Sequence, residues 1–168
     1  WSPSLHRDME LLEFGHGGAR VIAFPTSRGR FHEWEDRGMV RALGHALEHG
    51  WLHLTCVDAV DGESWYAYHN HPGARAWRHE QYTHYVMSEV LPWVRGRSAH
   101  PYTIFTGASF GAFHALSMGL RFPERVNRVL GMSGLADIKV LLGGYHSETV
   151  YLQNPVDFVP NEHDGWRL

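Results

Sequence analysis

Cysteine is nearly absent from this chain. Cys56 stands alone among 168 residues, so no internal disulfide can form, and its apolar neighbours mark a buried thiol. No apolar run is long enough to cross a bilayer as a helix. Neither sign of charge dominates. The net charge is −3 with both signs scattered, which argues against the basic face of a nucleic-acid binder. No repeat, low-complexity tract or linker interrupts the chain, so residues 1–168 read as one domain. The N-terminal Trp1-Ser2-Pro3-Ser4-Leu5-His6-Arg7-Asp8 has neither an initiator Met nor an apolar leader core, the pattern expected of a processed or trimmed chain.

What is present is a globular composition. Aromatic residues make up 13% of the chain, and a chain this long buries about 70% of its unfolded surface. Met9 to Phe14 reads as a first strand. Gly15-His16-Gly17-Gly18 follows as a short turn, and Arg20 to Phe24 as a second strand. The shortness of the turn predicts an antiparallel hairpin between them. Met39, Leu43, Ala46 and Leu47 share one face of a helix expected from Trp34 to His49, with Gly50 as its stop. Trp51 to Val57 is a third strand. Asp58 to Pro72 reads as a loop. Ala76 to Val94 is a second helix, with Trp77, Tyr82, Tyr85, Val86 and Val90 as its apolar face and Pro92 breaking or tightening its last turn. Val126 to Met132 is a further strand. Strand and helix alternate from residue 20 onward, which implies βαβ crossovers and a mainly parallel sheet, an α/β sandwich of three layers. After Met132 a short helix is expected over Leu135 to Leu142, and no strand from Gly143 to Leu168.

The centre of this pattern is Ile104-Phe105-Thr106-Gly107-Ala108-Ser109-Phe110-Gly111-Ala112-Phe113-His114-Ala115. An apolar strand runs into Gly-x-Ser-x-Gly, and a helix follows at once. This is the context of a nucleophile elbow, in which the serine sits on a strained turn at the rim of the sheet. Gly107 and Gly111 lack Cβ atoms, so the helix can start close to the strand. The helix N-terminus then favours negative charge developing beside Ser109.

With the strand ending in Phe24-Pro25-Thr26-Ser27, this elbow, and the Met132-Ser133-Gly134 end of the fifth strand, the chain resembles the α/β-hydrolase superfamily. It is similar in particular to the branch of esterase D-like, feruloyl-esterase-like and mycolyltransferase-like proteins. The resemblance implies a serine carboxylic-ester hydrolase acting on small-molecule or polymeric esters, aryl or polyester-like, with no cofactor. It implies Ser109 as nucleophile, the Phe110 N–H as one oxyanion donor, and Thr26 or Ser27 as the other. It also implies an acid and a histidine further on, after two more strands. Only about 36 residues follow Met132, while a βαβ unit alone takes about 30. A truncated α/β-hydrolase fold with an impaired triad is therefore expected, with Asp137, His146 and His163 as the available partners or Asp137 simply capping a helix. The alternative is a non-catalytic scaffold. The fifth strand would then be an exposed parallel edge, which predicts a homodimer, and a neighbour's tail would offer a histidine in trans.

Other constellations carry less. Trp65 and Tyr66, with Tyr68, follow the third strand at the rim where α/β ligands bind, and either line a pocket or cover the sheet edge. Arg28 and Arg30 attract an acidic substrate or are simply solvated. His69-Asn70-His71 and the pair His45 and His49 lack the Cys or carboxylate spacing that would complete a metal site, so no metal is expected. His114, five residues past Ser109, reads as a hydrogen-bonded core or interface histidine.

Overall fold

The computed structural model describes residues 1–163. Five strands form one sheet in the order β1-β3-β2-β4-β5: β1 (Leu11–Phe14), β2 (Ala19–Phe24), β3 (Leu52–Val57), β4 (Thr103–Ala108) and β5 (Arg128–Met132). Strands β2 to β5 are parallel, and β1 runs antiparallel at one edge.

The expected hairpin does not form. β1 pairs with β3, from Leu11 opposite Val57 to Phe14 opposite Leu54. The turn between β1 and β2 instead passes across the start of β3. Gly15 and Gly18 both adopt left-handed backbone, with φ of 86° and 82°. A Cβ on Gly15 would lie 2.5 Å from the Leu52 carbonyl oxygen, and one on Gly18 would strike the Trp51 carbonyl. The two glycines let the chain hug β3, so β1 and β2 flank it.

Side chains alternate across the sheet with period two, and each set meets its own helices. Val21, Ala23, Leu54 and Cys56 face Trp34 and Leu47. Trp34 and Leu47 lie on the first and last of three short helices, α1 (Glu33–Asp36), α2 (Met39–Ala42) and α3 (Gly44–Glu48), and Met39 and Val40 of α2 pack beside them. The continuous helix expected here is broken because Gly38 takes a left-handed turn with φ of 75°. On the other face, Ile22, Phe24 and Phe105 pack against Tyr82, Tyr85, Val86, Val90, Leu91 and Val94.

Those residues lie on a helix longer than expected. It opens as α4 (Pro72–Tyr85), with Pro72 in the first turn and His71 Nδ1 accepting the Gly73 N–H. It passes through a π turn at Val86–Val90 and continues as α5 (Leu91–Arg97). Pro92 therefore does not end the helix. It cannot donate to the Ser88 carbonyl, and the wider π turn just before it absorbs that misfit. Trp77 is 61% exposed and does not belong to the buried face.

The helix α6 (Phe110–Arg121) covers β4 and β5, and Ala115 and Met118 join the same core as α4 and α5. After β5, the expected short helix is a 3-10 turn at Ile138–Leu141, followed by α7 (Glu148–Gln153) and α8 (Pro155–Phe158). Ile138, Leu142 and Val150 pack with Phe110, Phe113, Trp65 and Ala76, which fastens this segment beneath the start of α6. Asn154 ties it further: its Oδ1 accepts the Ile138 N–H, and its amide donates to Asp137 and Asp157.

Candidate active site

Ser109 stands between β4 and α6 with φ of 54° and ψ of −118°, a sparsely populated region for a residue with a side chain. Such strain persists only where its surroundings over-determine it. Here both flanking glycines are needed. A Cβ on Gly107 would strike the Gly111 backbone, and one on Gly111 would lie 2.5 Å from the carbonyl oxygens of both Phe24 and Pro25. The start of α6 thus sits directly on the exit of β2. The Ser109 N–H donates to the Met132 carbonyl at 2.9 Å, which ties the elbow to the end of β5. The Ser109 side chain is exposed, and its Oγ makes no hydrogen bond among the described residues. Phe110 opens α6, so its N–H has no carbonyl to meet inside the helix. That N–H points from the positive end of the helix dipole.

The loop after β2 lies beside this elbow because Gly111 brings Pro25 close. Its residues are pinned one by one. The Thr26 N–H and hydroxyl both donate to the Glu33 carboxylate at 2.7 Å, so the Thr26 N–H is already committed and Ser27 is left as the candidate donor. Ser27 Oγ and the Tyr66 hydroxyl are 2.9 Å apart. Burial, opposed by that hydrogen bond, holds the Tyr66 phenol above its ordinary pKa, so it remains a neutral O–H. The Tyr66 ring lies 5.0 Å from that of Phe110, so Tyr66 bridges the loop and the elbow.

Trp65 does not line this groove. It is 0% exposed and packs against His79 and Phe113. The loop carries adjacent side chains in opposite directions, and Tyr66 takes the open side. Tyr68 is exposed next to Tyr66. Arg30 is held by Asp58 at 2.9 Å and Glu10 at 2.6 Å and serves the loop's structure. Arg28 lies over the Tyr66 ring at 5.2 Å.

The residues after β5 are not brought together as a catalytic set among the described residues. The Asp137 carboxylate accepts from the Lys139 N–H and from Asn154, both at 3.0 Å, so it caps the 3-10 turn. His146 is exposed and close enough to Asp157 to favour its ionised form. His163 is exposed.

Two functional neighbours escape a reading of the sequence: Glu33 and Asp61. Asp61 is buried. Its Oδ2 accepts the Arg28 N–H at 3.0 Å, and its Oδ1 lies 2.9 Å from His114 Nε2. His114 Nδ1 in turn lies 3.2 Å from His79 Nε2, with both rings fully buried. Burial, and then the charges of His114 and Arg121, hold the His79 pKa well below its ordinary value. His114 is thus a hydrogen-bonded core histidine. The sequence pointed to this loop through its aromatic residues at the rim after β3, and nothing in it distinguished Asp61 from the loop's other polar residues.

A mostly parallel sheet with helices on both faces and a strained serine between a strand and a helix is the architecture of the α/β-hydrolase class. The model of the Putative esterase family matches residues 52–164, and the chain belongs to that family. Among solved structures, a ferulic acid esterase aligns with a TM-score of 0.72 at 17% identity, over 99% of this chain and 70% of its own. An S-formylglutathione hydrolase, FrmB from Staphylococcus aureus, aligns with a TM-score of 0.66 at 12% identity, over 95% and 67%. MPT51 (FbpC1) of Mycobacterium tuberculosis aligns with a TM-score of 0.59 at 20% identity, over 81% and 49%. The chain therefore spans about half to seven tenths of the length of these structures. No curated protein matches it.

Proposed function

We propose that this chain is a serine carboxylic-ester hydrolase with Ser109 as nucleophile. The observation that carries the reading is the exposed Ser109 held at positive φ between β4 and α6, the kind of strain that concentrates at functional sites. Ser109 Oγ attacks the ester carbonyl and its proton passes to a base. The carbonyl oxygen becomes an oxyanion held by the N–H groups of Phe110 and Ser27. The alkoxide leaves with a proton, and water then releases the acid from Ser109. Each oxyanion donor is worth about 3 kcal/mol of barrier. The ring of Tyr66, with the exposed Tyr68 beside it, favours an aryl or extended apolar acyl group. This agrees with the ferulic acid esterase among the similar folds.

The base is assigned to His146 or His163, reaching Ser109 either within one chain or from a second copy. The oxyanion hole and binding alone supply about 10³–10⁴-fold over water, which sets the rate expected of a chain lacking that contact. The test is p-nitrophenyl acetate hydrolysis together with labelling by a serine-directed phosphonate, read by mass. We expect wild type to turn over and to carry one label, and Ser109→Ala to lose both. Equal rates in the two proteins overturn the reading.

One observation favours a second reading, a scaffold that self-associates. Among the described residues β5 pairs with β4 alone, and its Leu130 and Met132 are 53% and 40% exposed. An uncovered parallel edge with apolar side chains is a template for another chain, here a second copy.

A further inference from the structure

We infer that Asp61, aligned by His114, is a positioning residue that holds the oxyanion loop in its working form, an assignment that rests on the esterase reading above. The loop residues Thr26, Ser27, Arg28 and Gly29 form a β-turn closed by the Gly29 N–H donating to the Thr26 carbonyl at 2.8 Å. Arg28, at the third position, has φ of 56°. That is the pattern of a type II turn, whose third residue is ordinarily glycine or asparagine. An arginine there gains by flipping the central Ser27–Arg28 peptide, which turns the loop into the commoner type I form.

Asp61 opposes the flip. Its Oδ2 accepts the Arg28 N–H at 3.0 Å. A flipped peptide would aim the Ser27 carbonyl at the same carboxylate. The carboxylate itself cannot swing away, because its Oδ1 accepts from His114 Nε2 at 2.9 Å in a fully buried contact. His114 is oriented in turn by the buried contact of its Nδ1 with His79 Nε2 at 3.2 Å. His114 lies on α6, the helix that begins at the elbow. One hydrogen-bonded chain, from α4 through α6 to Asp61, therefore fixes the nucleophile's helix and the donor loop in a single frame. Glu33 and Tyr66 anchor the flanking residues Thr26 and Ser27, whereas Asp61 alone takes the N–H of the turn's central peptide.

The experiment compares His114→Leu, which removes the donor, with His114→Gln, whose amide nitrogen reaches the place of Nε2. Asp61→Asn serves as a milder second variant should His114→Leu not fold. Arg28→Gly is combined with each, because glycine adopts the left-handed conformation without being held. Two readouts are taken: the acylation rate of Ser109 by p-nitrophenyl acetate with its KM, and hydrogen exchange of the Arg28 amide. We expect His114→Leu and Asp61→Asn to acylate at least about tenfold more slowly at nearly unchanged KM, within the range for a small misplacement of a group at the reacting centre. We expect His114→Gln to remain within about threefold of wild type, Arg28→Gly to restore most of the rate to the slowed variants, and Arg28 exchange to quicken in His114→Leu and Asp61→Asn. Folded variants that acylate like wild type, or a loss that Arg28→Gly does not restore, overturn the inference. If wild type is inactive and unlabelled, the esterase reading fails, and the positioning role falls with it. Arg28 exchange then shows separately whether Asp61 holds the turn.

Discussion

The close approach of α6 to β2 gives a sharp test of the elbow in the substitution Gly111→Ala. The new methyl would lie 2.5 Å from two backbone carbonyl oxygens, those of Phe24 and Pro25. Neither can turn aside as a side chain does, so the helix has to retreat by about 1 Å to reach ordinary van der Waals separation. Overpacking of this kind costs about 1–3 kcal/mol, and backbone on both sides places Gly111→Ala near the top of that range. A loss of about 3 kcal/mol lowers Tm by about 6–12 °C in a domain of this size. The same retreat moves Ser109 and the Phe110 N–H away from Ser27, and a displacement of about 1 Å at a reacting centre can cost 10²-fold in rate. Gly96→Ala is the control. Gly96 lies on the exposed side of α5 with nothing within 4 Å of its Cβ direction, so alanine should stabilise by about 0.5–1 kcal/mol. Calorimetry with the acylation assay reads both quantities. Gly111→Ala with the Tm and acylation rate of wild type would refute the packing of α6 against β2 on which the site is built.

Acid should weaken the fold through its buried histidines. Burial holds His79 well below 6.5, and His53 below it too. As pH falls below about 6.5 the unfolded chain takes up protons that the folded chain refuses, so stability declines by up to about 1.4 kcal/mol per pH unit for each such group. Urea unfolding at pH 7.5 and 5.5 should show this, and His79→Gln should flatten the slope; an unchanged slope in that variant rules out His79 as a source. At the open edge, the wild-type chain should sediment as a dimer at high micromolar concentration and Leu130→Glu as a monomer. A monomeric wild type removes the self-association reading.

Local patterns were legible in the sequence wherever the partner was a near neighbour. Gly107, Ser109 and Gly111 lie within one turn of chain, and the strand before them and the helix after them are written in adjacent residues. Strand–helix alternation gave the parallel α/β sandwich for the same reason. The family match over residues 52–164 agrees with the kinship first read from the elbow. Legibility ended where a choice depended on something distant. The short turn after Phe14 looked like a hairpin, yet β3, almost 40 residues further on, lies between the two strands. Trp65 and Tyr66 looked alike as rim aromatics, and only the packing of His79 and Phe113 decided which one was buried.

The sequence by itself thus determined which serine would be strained and which elements would carry it, because backbone sterics and hydrophobic period act over a few residues. The tertiary structure alone decided how the neighbouring loop is held. Glu33, Asp61 and Tyr66 reach Thr26, Arg28 and Ser27 across separations of 7, 33 and 39 residues. Hydrogen bonds of that span leave no periodic trace in a chain. Those of Asp61 and Tyr66 exist only once the sheet has brought the ends of β2 and β3 side by side, and that of Glu33 only once α1 has folded back on the β2 exit.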